Sequence, residues 1–329
     1  MHISIGAAVG PQNPQRLGGG SPHPSGLSAG AEGQATAVPH QDQVPAPPGP
    51  AVNAGGRAST GGWIPVSSCD PQRCIDTPAP TVGTIRRLAR YAGCAVAVMM
   101  GFPLLPLVRR CSWLPSRRLA RLWSRAIMTA LGIRVRVLGS KAAEQNGGLL
   151  VVANHVSWLD IPLLGSVRPG RMLAKSELGE VPVLGGIAAR NGTIFVQRER
   201  LRALPATLSE ISRSLRADGH VVGFPEGTTW CGRDTGPFRP ALFQAAIDAC
   251  APVQPAVITY RCQSGELTTA PAYLSSESLL VSLRKAAAMR GLVAEVRLLP
   301  TIPAGSHQNR RSLMNAAQAA VNRALAERG

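Results

Sequence analysis

Asn154-His155-Val156-Ser157-Trp158-Leu159-Asp160 is the stretch that decides how this 329-residue chain is read. It follows Leu149-Leu150-Val151-Val152-Ala153, an apolar run with the length and composition of a buried strand, so its polar residues fall where a strand ends. Strand ends are where α/β proteins place their chemistry. Asp160 lies one residue beyond the i+4 spacing that would put it on one helical face with His155, so a loop turning into a helix is needed to join them. Asp160 would then accept the proton of one imidazole nitrogen, fix the tautomer and leave the other nitrogen as a base.

Working outward, three more stretches carry polar residues beside apolar runs. They are Gly192-Thr193-Ile194-Phe195-Val196-Gln197-Arg198, then Phe224-Pro225-Glu226-Gly227-Thr228-Thr229 entered from Val221-Val222-Gly223, then Val253-Gln254-Pro255-Ala256-Val257-Ile258-Thr259-Tyr260. In this order and at these separations, the four blocks resemble those of the glycerolipid acyltransferase superfamily, which includes lysophosphatidate acyltransferases. The resemblance spans roughly residues 84–300.

The resemblance implies transfer of a fatty acyl group from a thioester, acyl-CoA or acyl carrier protein, to the free hydroxyl of a lysolipid. His155 is expected as general base and Asp160 as its orienting partner. Asn154, Lys175, Gly192, Arg198, Pro225, Glu226, Gly227 and Thr228 are expected to bind substrate, with Lys175 and Arg198 as anion clamps. Ser157 is read as a turn residue and not as an acyl-carrying nucleophile, so direct transfer in a ternary complex is preferred. One departure bears on the acceptor. Many phosphate-recognising members have Arg after Phe-Pro-Glu-Gly-Thr, where this chain has Thr229 and Trp230, with Arg233 and Arg239 as possible replacements. The first expectation is 1-acyl-sn-glycerol-3-phosphate, giving phosphatidate. The alternative is a phosphate-free lysolipid such as lyso-ornithine lipid, to which the Thr229 form, Pro237-Phe238-Arg239 and Val253-Gln254-Pro255 are similar. A thioesterase or a non-catalytic lipid-binding protein are the readings from other classes.

The formal net charge of +17 comes almost wholly from Arg, which suits anionic lipid or an anionic substrate. Aromatic residues make up only 4% and interleave with no basic run, which disfavours nucleic-acid binding. Seven cysteines show no Cys-x-x-Cys pair and no zinc-like spacing, so they read as reduced packing residues, and neither cofactor nor metal is expected.

Residues 1–83, rich in Gly, Pro, Ala and Ser without apolar periodicity, read as a disordered tail. Residues 84–131 read as a membrane-docking helical segment. Tyr91–Val108 is free of charge but, at about 27 Å of helix against a core of roughly 30 Å, is marginal for a span. Pro103 and Pro106 favour a kinked or re-entrant insertion. Arg117, Arg118, Arg121 and Arg125 alternate with Leu119, Leu122, Trp123 and Ile127, the pattern of an amphipathic helix lying in the bilayer interface. The basic flank places the catalytic domain, residues 132–329, on the cytoplasmic face of the membrane. Within that domain apolar runs alternate with helical patterns, which predicts an α/β fold whose mixed sheet is covered by helices on both sides.

Overall fold

A computed structural model describes residues 65–76, 80–110, 116–139, 147–181, 184–197, 200–274 and 277–328, with backbone alone for 102–110, 116 and 201. A one-turn helix α1 (Pro71–Cys74) precedes two long helices, α2 (Thr84–Arg110) and α3 (Ser116–Ala130). Then follow β1 (Arg134–Gly139), β2 (Leu149–Ala153), α4 (Asp160–Val167), β3 (Arg171–Lys175), α5 (Leu184–Arg190), β4 (Ile194–Val196), α6 (Leu204–Arg216) and β5 (His220–Gly223). The chain ends with α7 (Ala241–Asp248), β6 (Val253–Arg261), α8 (Leu279–Ala288), β7 (Val293–Leu298) and α9 (Arg310–Ala326).

The strands form one seven-stranded sheet in the order β1-β7-β6-β2-β5-β3-β4. Every pairing is parallel except β6 with β7. At the centre, β2 is buried at all positions, as its uninterrupted apolar run requires. Its alternation divides two cores. Leu149, Val151 and Ala153 join Ile127 and Met128 of α3 and Leu163 and Leu164 of α4, while Leu150 and Val152 join Ile211 of α6, Phe243 of α7 and Leu313 and Val321 of α9. The sheet is thus covered by helices on both faces, as the alternation predicts.

Two elements escape the sequence reading for local reasons. β3 begins with Arg171, ends with the exposed Lys175 and is fully buried only at Ala174, so it has no continuous apolar run. α5 contains Gly185 and Gly186, weak helix formers, and is carried by packing. β6 starts at Val253 and keeps Pro255 inside the strand, opposite Val152.

Two boundaries are corrected. Residues 65–76 and 80–83, counted with the tail, are fastened to the domain. Thr81 makes an isolated antiparallel bridge with Met289, Val82 is buried and donates its N–H to the Ala288 carbonyl at 2.9 Å. Asp76 accepts the Thr269 N–H at 2.8 Å and donates its own N–H to the Thr269 hydroxyl at 2.8 Å. Low apolar content hides a strap held by backbone polar groups. Residues 1–64 and 77–79 lie outside the described residues. The second is the end of α2, which continues as helix through Pro103 and Pro106 to Arg110, past the Val108 end of the uncharged run. Among the described residues no helix is long and apolar enough to cross a membrane.

α2 and α3 form a hairpin closed at Gly101, where an added Cβ would stand 2.6 Å from Cζ2 of Trp123. The Trp123 indole N–H donates to the Ala97 carbonyl at 2.7 Å. Gly101→Leu is therefore expected to force the hairpin apart at a cost of about 1–3 kcal/mol, read as a lowered thermal midpoint, whereas Gly83→Ala, which meets nothing, should be neutral.

Candidate active site

Parallel neighbours end on the same side of a sheet, so the segments after β2, β5 and β3 converge on one edge. His155 follows β2, Phe224-Pro225-Glu226-Gly227 follows β5, and Lys175 ends β3. β6, parallel to β2 and pairing Ala153 with Ala256, continues past that edge and brings Ile258 and Tyr260 alongside.

The His155–Asp160 pair forms as the spacing predicts. Nδ1 of His155 lies 2.8 Å from Oδ2 of Asp160. The same oxygen accepts the N–H groups of Val156 at 2.7 Å and Ser157 at 2.8 Å, and Oδ1 accepts the Tyr260 hydroxyl at 2.6 Å. Asp160 is completely buried and opens α4, where the helix terminus favours a negative charge. A carboxylate can only accept, so Nδ1 carries the imidazole proton and Nε2 of the neutral ring keeps its lone pair. Phe224 stacks on the imidazole with ring centroids 3.9 Å apart and planes 11° from parallel. The side chain of His155 is 17% exposed, enough for an edge to meet a substrate.

The backbone of His155 is clamped as well. Its N–H donates to Oε2 of Glu226 at 2.8 Å and its carbonyl accepts the Trp230 N–H at 2.8 Å. Oε1 of Glu226 accepts the Gly236 N–H at 3.1 Å. Burial pushes the Glu226 carboxyl up to about 8, and the two amide donors offset this only in part.

Two of the residues expected to bind substrate have side chains engaged with backbone. Asn154 is buried with both ends of its amide on Ile258, Nδ2 donating to the carbonyl at 3.0 Å and Oδ1 accepting the N–H at 2.8 Å. Glu226 is 2% exposed with both oxygens on backbone amides. Pro225 is buried in the turn. Gly227 adopts φ +74°, the left-handed conformation that glycine tolerates, and an added Cβ would stand 2.7 Å from Cγ of Pro65 in the strap. Thr228 is half-buried beside it. Gly192, at φ +77°, turns the chain into β4, and its carbonyl accepts Nε of Arg171 at 2.6 Å. Lys175 is exposed at the sheet edge. Arg198 lies outside the described residues.

Of the two candidate replacement cations, Arg233 pairs with Asp76 of the strap. Cδ of Arg239 comes within 3.8 Å of where a Cβ on Gly227 would stand. The Thr229 hydroxyl donates to the Tyr273 carbonyl. Tyr260 and Phe224, to which the sequence blocks assign no role, contact the Asp160–His155 pair. Only the parallel register of β2 with β6 and β5 reveals that they reach Asp160 and His155.

Tyr260→Phe removes one of four donors and leaves Oδ1 of Asp160 short of a partner in the interior. A stability loss of about 1–3 kcal/mol is expected, together with a fall in kcat at nearly constant KM. Thermal melts and steady-state kinetics check both. Glu226 takes up a proton on folding between its ordinary value of 4.5 and about 8, so its contribution to stability falls as pH rises through that window. The stability of wild type relative to Glu226→Gln should accordingly fall from pH 4.5 to 8 and then level off, as denaturant titrations at several pH values will read.

The profile of the family described as Acyltransferase matches residues 134–259. The 1-acyl-sn-glycerol-3-phosphate acyltransferase of Neisseria meningitidis is 33% identical over 203 residues, which cover 62% of this chain and 79% of that protein. The lyso-ornithine lipid O-acyltransferase of Pseudomonas aeruginosa is 35% identical over 251 residues, covering 73% and 94%. The crystal structure of the 1-acyl-sn-glycerophosphate acyltransferase of Thermotoga maritima superposes with a TM-score of 0.58 at 19% identity, over 74% of this chain and 94% of that one, and so shares the fold. With a buried carboxylate orienting an accessible histidine at the sheet edge, and relatives this similar over most of their length, the chain belongs to the glycerolipid acyltransferase superfamily and is an O-acyltransferase.

Proposed function

We propose that the protein transfers a fatty acyl group from an acyl thioester to the free hydroxyl of a lysolipid. The observation that carries this reading is the 2.8 Å contact of His155 Nδ1 with Oδ2 of Asp160, which leaves Nε2 off the carboxylate. The acceptor hydroxyl gives its proton to Nε2 as its oxygen attacks the thioester carbonyl, and the imidazolium returns a proton to the departing thiolate. Asp160 stays ionised and holds the ring throughout. Ser157 is buried with its hydroxyl near the Leu159 N–H at 3.4 Å, which supports its reading as a turn residue and direct transfer without an acyl-enzyme.

For the acceptor, a phosphate-free lysolipid of the lyso-ornithine type is favoured. Position 229 is neutral and engaged with Tyr273, and the charge of Arg233 is met by Asp76, so the loop after Gly227 is less cationic than a phosphate monoester asks for. The similarity to lyso-ornithine lipid acyltransferases of Pseudomonas aeruginosa and Rhizobium meliloti, the latter 39% identical over 183 residues, supports the same reading. 1-Acyl-sn-glycerol-3-phosphate is the second reading, favoured by Arg239 beside Gly227. The donor is acyl-CoA or acyl carrier protein.

The reaction takes place at a membrane in this reading, with the catalytic domain on the cytoplasmic face. Ile85, Leu88, Val96, Met99 and Met100 of α2 and Leu122 of α3 are exposed large apolar residues on helices rich in Arg, which suits insertion into an anionic bilayer surface. Val96→Asp with Met99→Asp is expected to weaken cosedimentation with anionic vesicles by at least tenfold while leaving the fold intact by circular dichroism.

The assay is incubation with an acyl thioester and a mixed panel of lysolipids, with products identified by mass spectrometry. Acylated lyso-ornithine lipid, reduced by about 10²–10⁴ in His155→Ala, is expected. Phosphatidate as the main product would establish the second reading, and Arg239→Ala should then raise KM for that acceptor. Free fatty acid as the main product would mean a thioesterase and sink the transferase reading.

A further inference from the structure

Cys69, Cys74 and Cys231 are far apart in sequence and meet in the fold, with their three sulfurs all within 4.8 Å of one another. The strap supplies two of them, Cys69 just before the N-cap Asp70 of α1 and Cys74 at the last position of that helix, and Cys231 lies two residues after Thr229. Cys231 is buried, while Cys69 and Cys74 are partly accessible, so an ion can reach the cluster from the strap side. We propose that these three thiols form a site for a zinc-class divalent cation that fastens the strap to the loop after Phe224-Pro225-Glu226-Gly227.

The geometry is close to what such an ion needs. Zinc–sulfur bonds of about 2.3 Å in a tetrahedron put sulfurs about 3.8 Å apart, so closing the site asks each pair to contract by about 1 Å or less. Two sulfurs already accept backbone N–H groups, Cys69 from Cys231 at 3.3 Å and Cys231 from Asp234 at 3.5 Å. Amide donors of this kind orient metal-bound thiolates. Three thiolates and one divalent ion leave a net charge of −1, and Arg328 lies close by, donating to the carbonyls of Gly232 at 2.7 Å and Arg233 at 3.0 Å. Binding is balanced as M²⁺ plus three thiols giving the tris-thiolate and three protons released to the buffer. A cation takes all three sulfurs, whereas a disulfide would use two and strand the third.

The consequence is mechanical. The strap already places Pro65 against Gly227 and Asp76 on Arg233, and an ion at its centre would turn these contacts into a fixed wall of the acceptor side.

Reduced, chelator-treated full-length protein titrated with Co²⁺ provides the test. One equivalent of cobalt should give a thiolate charge-transfer band and tetrahedral visible bands, displaced by Zn²⁺. Cys69→Ser and Cys231→Ser should each weaken cobalt binding by at least 100-fold, while the exposed Cys250→Ser should leave it unchanged. Should the variants fail to fold, wild type suffices, because Zn²⁺ should protect three of the seven thiols from a thiol reagent. Absence of the charge-transfer band in reduced wild type, its persistence in Cys69→Ser, or a Cys69–Cys231 linked peptide in place of metal uptake would each overturn the proposal.

Discussion

The structure depends on one buried carboxylate. Removing Asp160 from water costs several kcal/mol unless its lone pairs are met, and four donors meet them, from His155, Val156, Ser157 and Tyr260. The donors come from three parts of the architecture. The end of β2 supplies His155, the turn supplies two amides at the mouth of α4, and the far end of β6 supplies a phenol. The requirement that solvates the carboxylate therefore also fixes the loop, the register of β6 against β2 and the direction of the imidazole. Burial raises the Tyr260 hydroxyl well above its ordinary value and the Asp160 charge adds to the effect, so the phenol remains a donor wherever the protein is folded.

A second buried carboxyl works on the backbone. Glu226 accepts from His155 and Gly236 and so ties the segment after β5 to the segment after β2. Asn154 does the same toward β6 through Ile258. The residues around His155 thus spend their polarity on holding the loop still, and a base that must meet a hydroxyl within hydrogen-bond reach gains most from such preorganisation.

Much of this was legible in the chain. β2 and β5 are continuous apolar runs because both faces of the central sheet are covered, and polar clusters after such runs mark the catalytic edge. The His155–Asp160 spacing identifies the pair. What stayed hidden depends on long-range placement. Tyr260 reads as a strand aromatic until the parallel pairing with β2 carries it past the edge. Asn154 and Glu226 read as substrate ligands because a sequence does not show that their oxygens are met by backbone. The strap after residue 64 reads as tail because its attachments are hydrogen bonds, a bridge and an ion pair, none of which leaves an apolar pattern. The three thiols it brings together have no motif spacing.

In the proposed reaction Asp160 holds His155 in the tautomer with the proton on Nδ1, so that Nε2 can take a proton from the acceptor. Nitrogen-15 NMR of the histidine side chains, with His155 assigned by its loss in His155→Gln, tests this most directly. At neutral pH the account expects a protonated Nδ1 and an unprotonated Nε2, with that preference lost in Asp160→Asn. A proton on Nε2 of the wild-type neutral ring would contradict it, since no lone pair would then face the substrate.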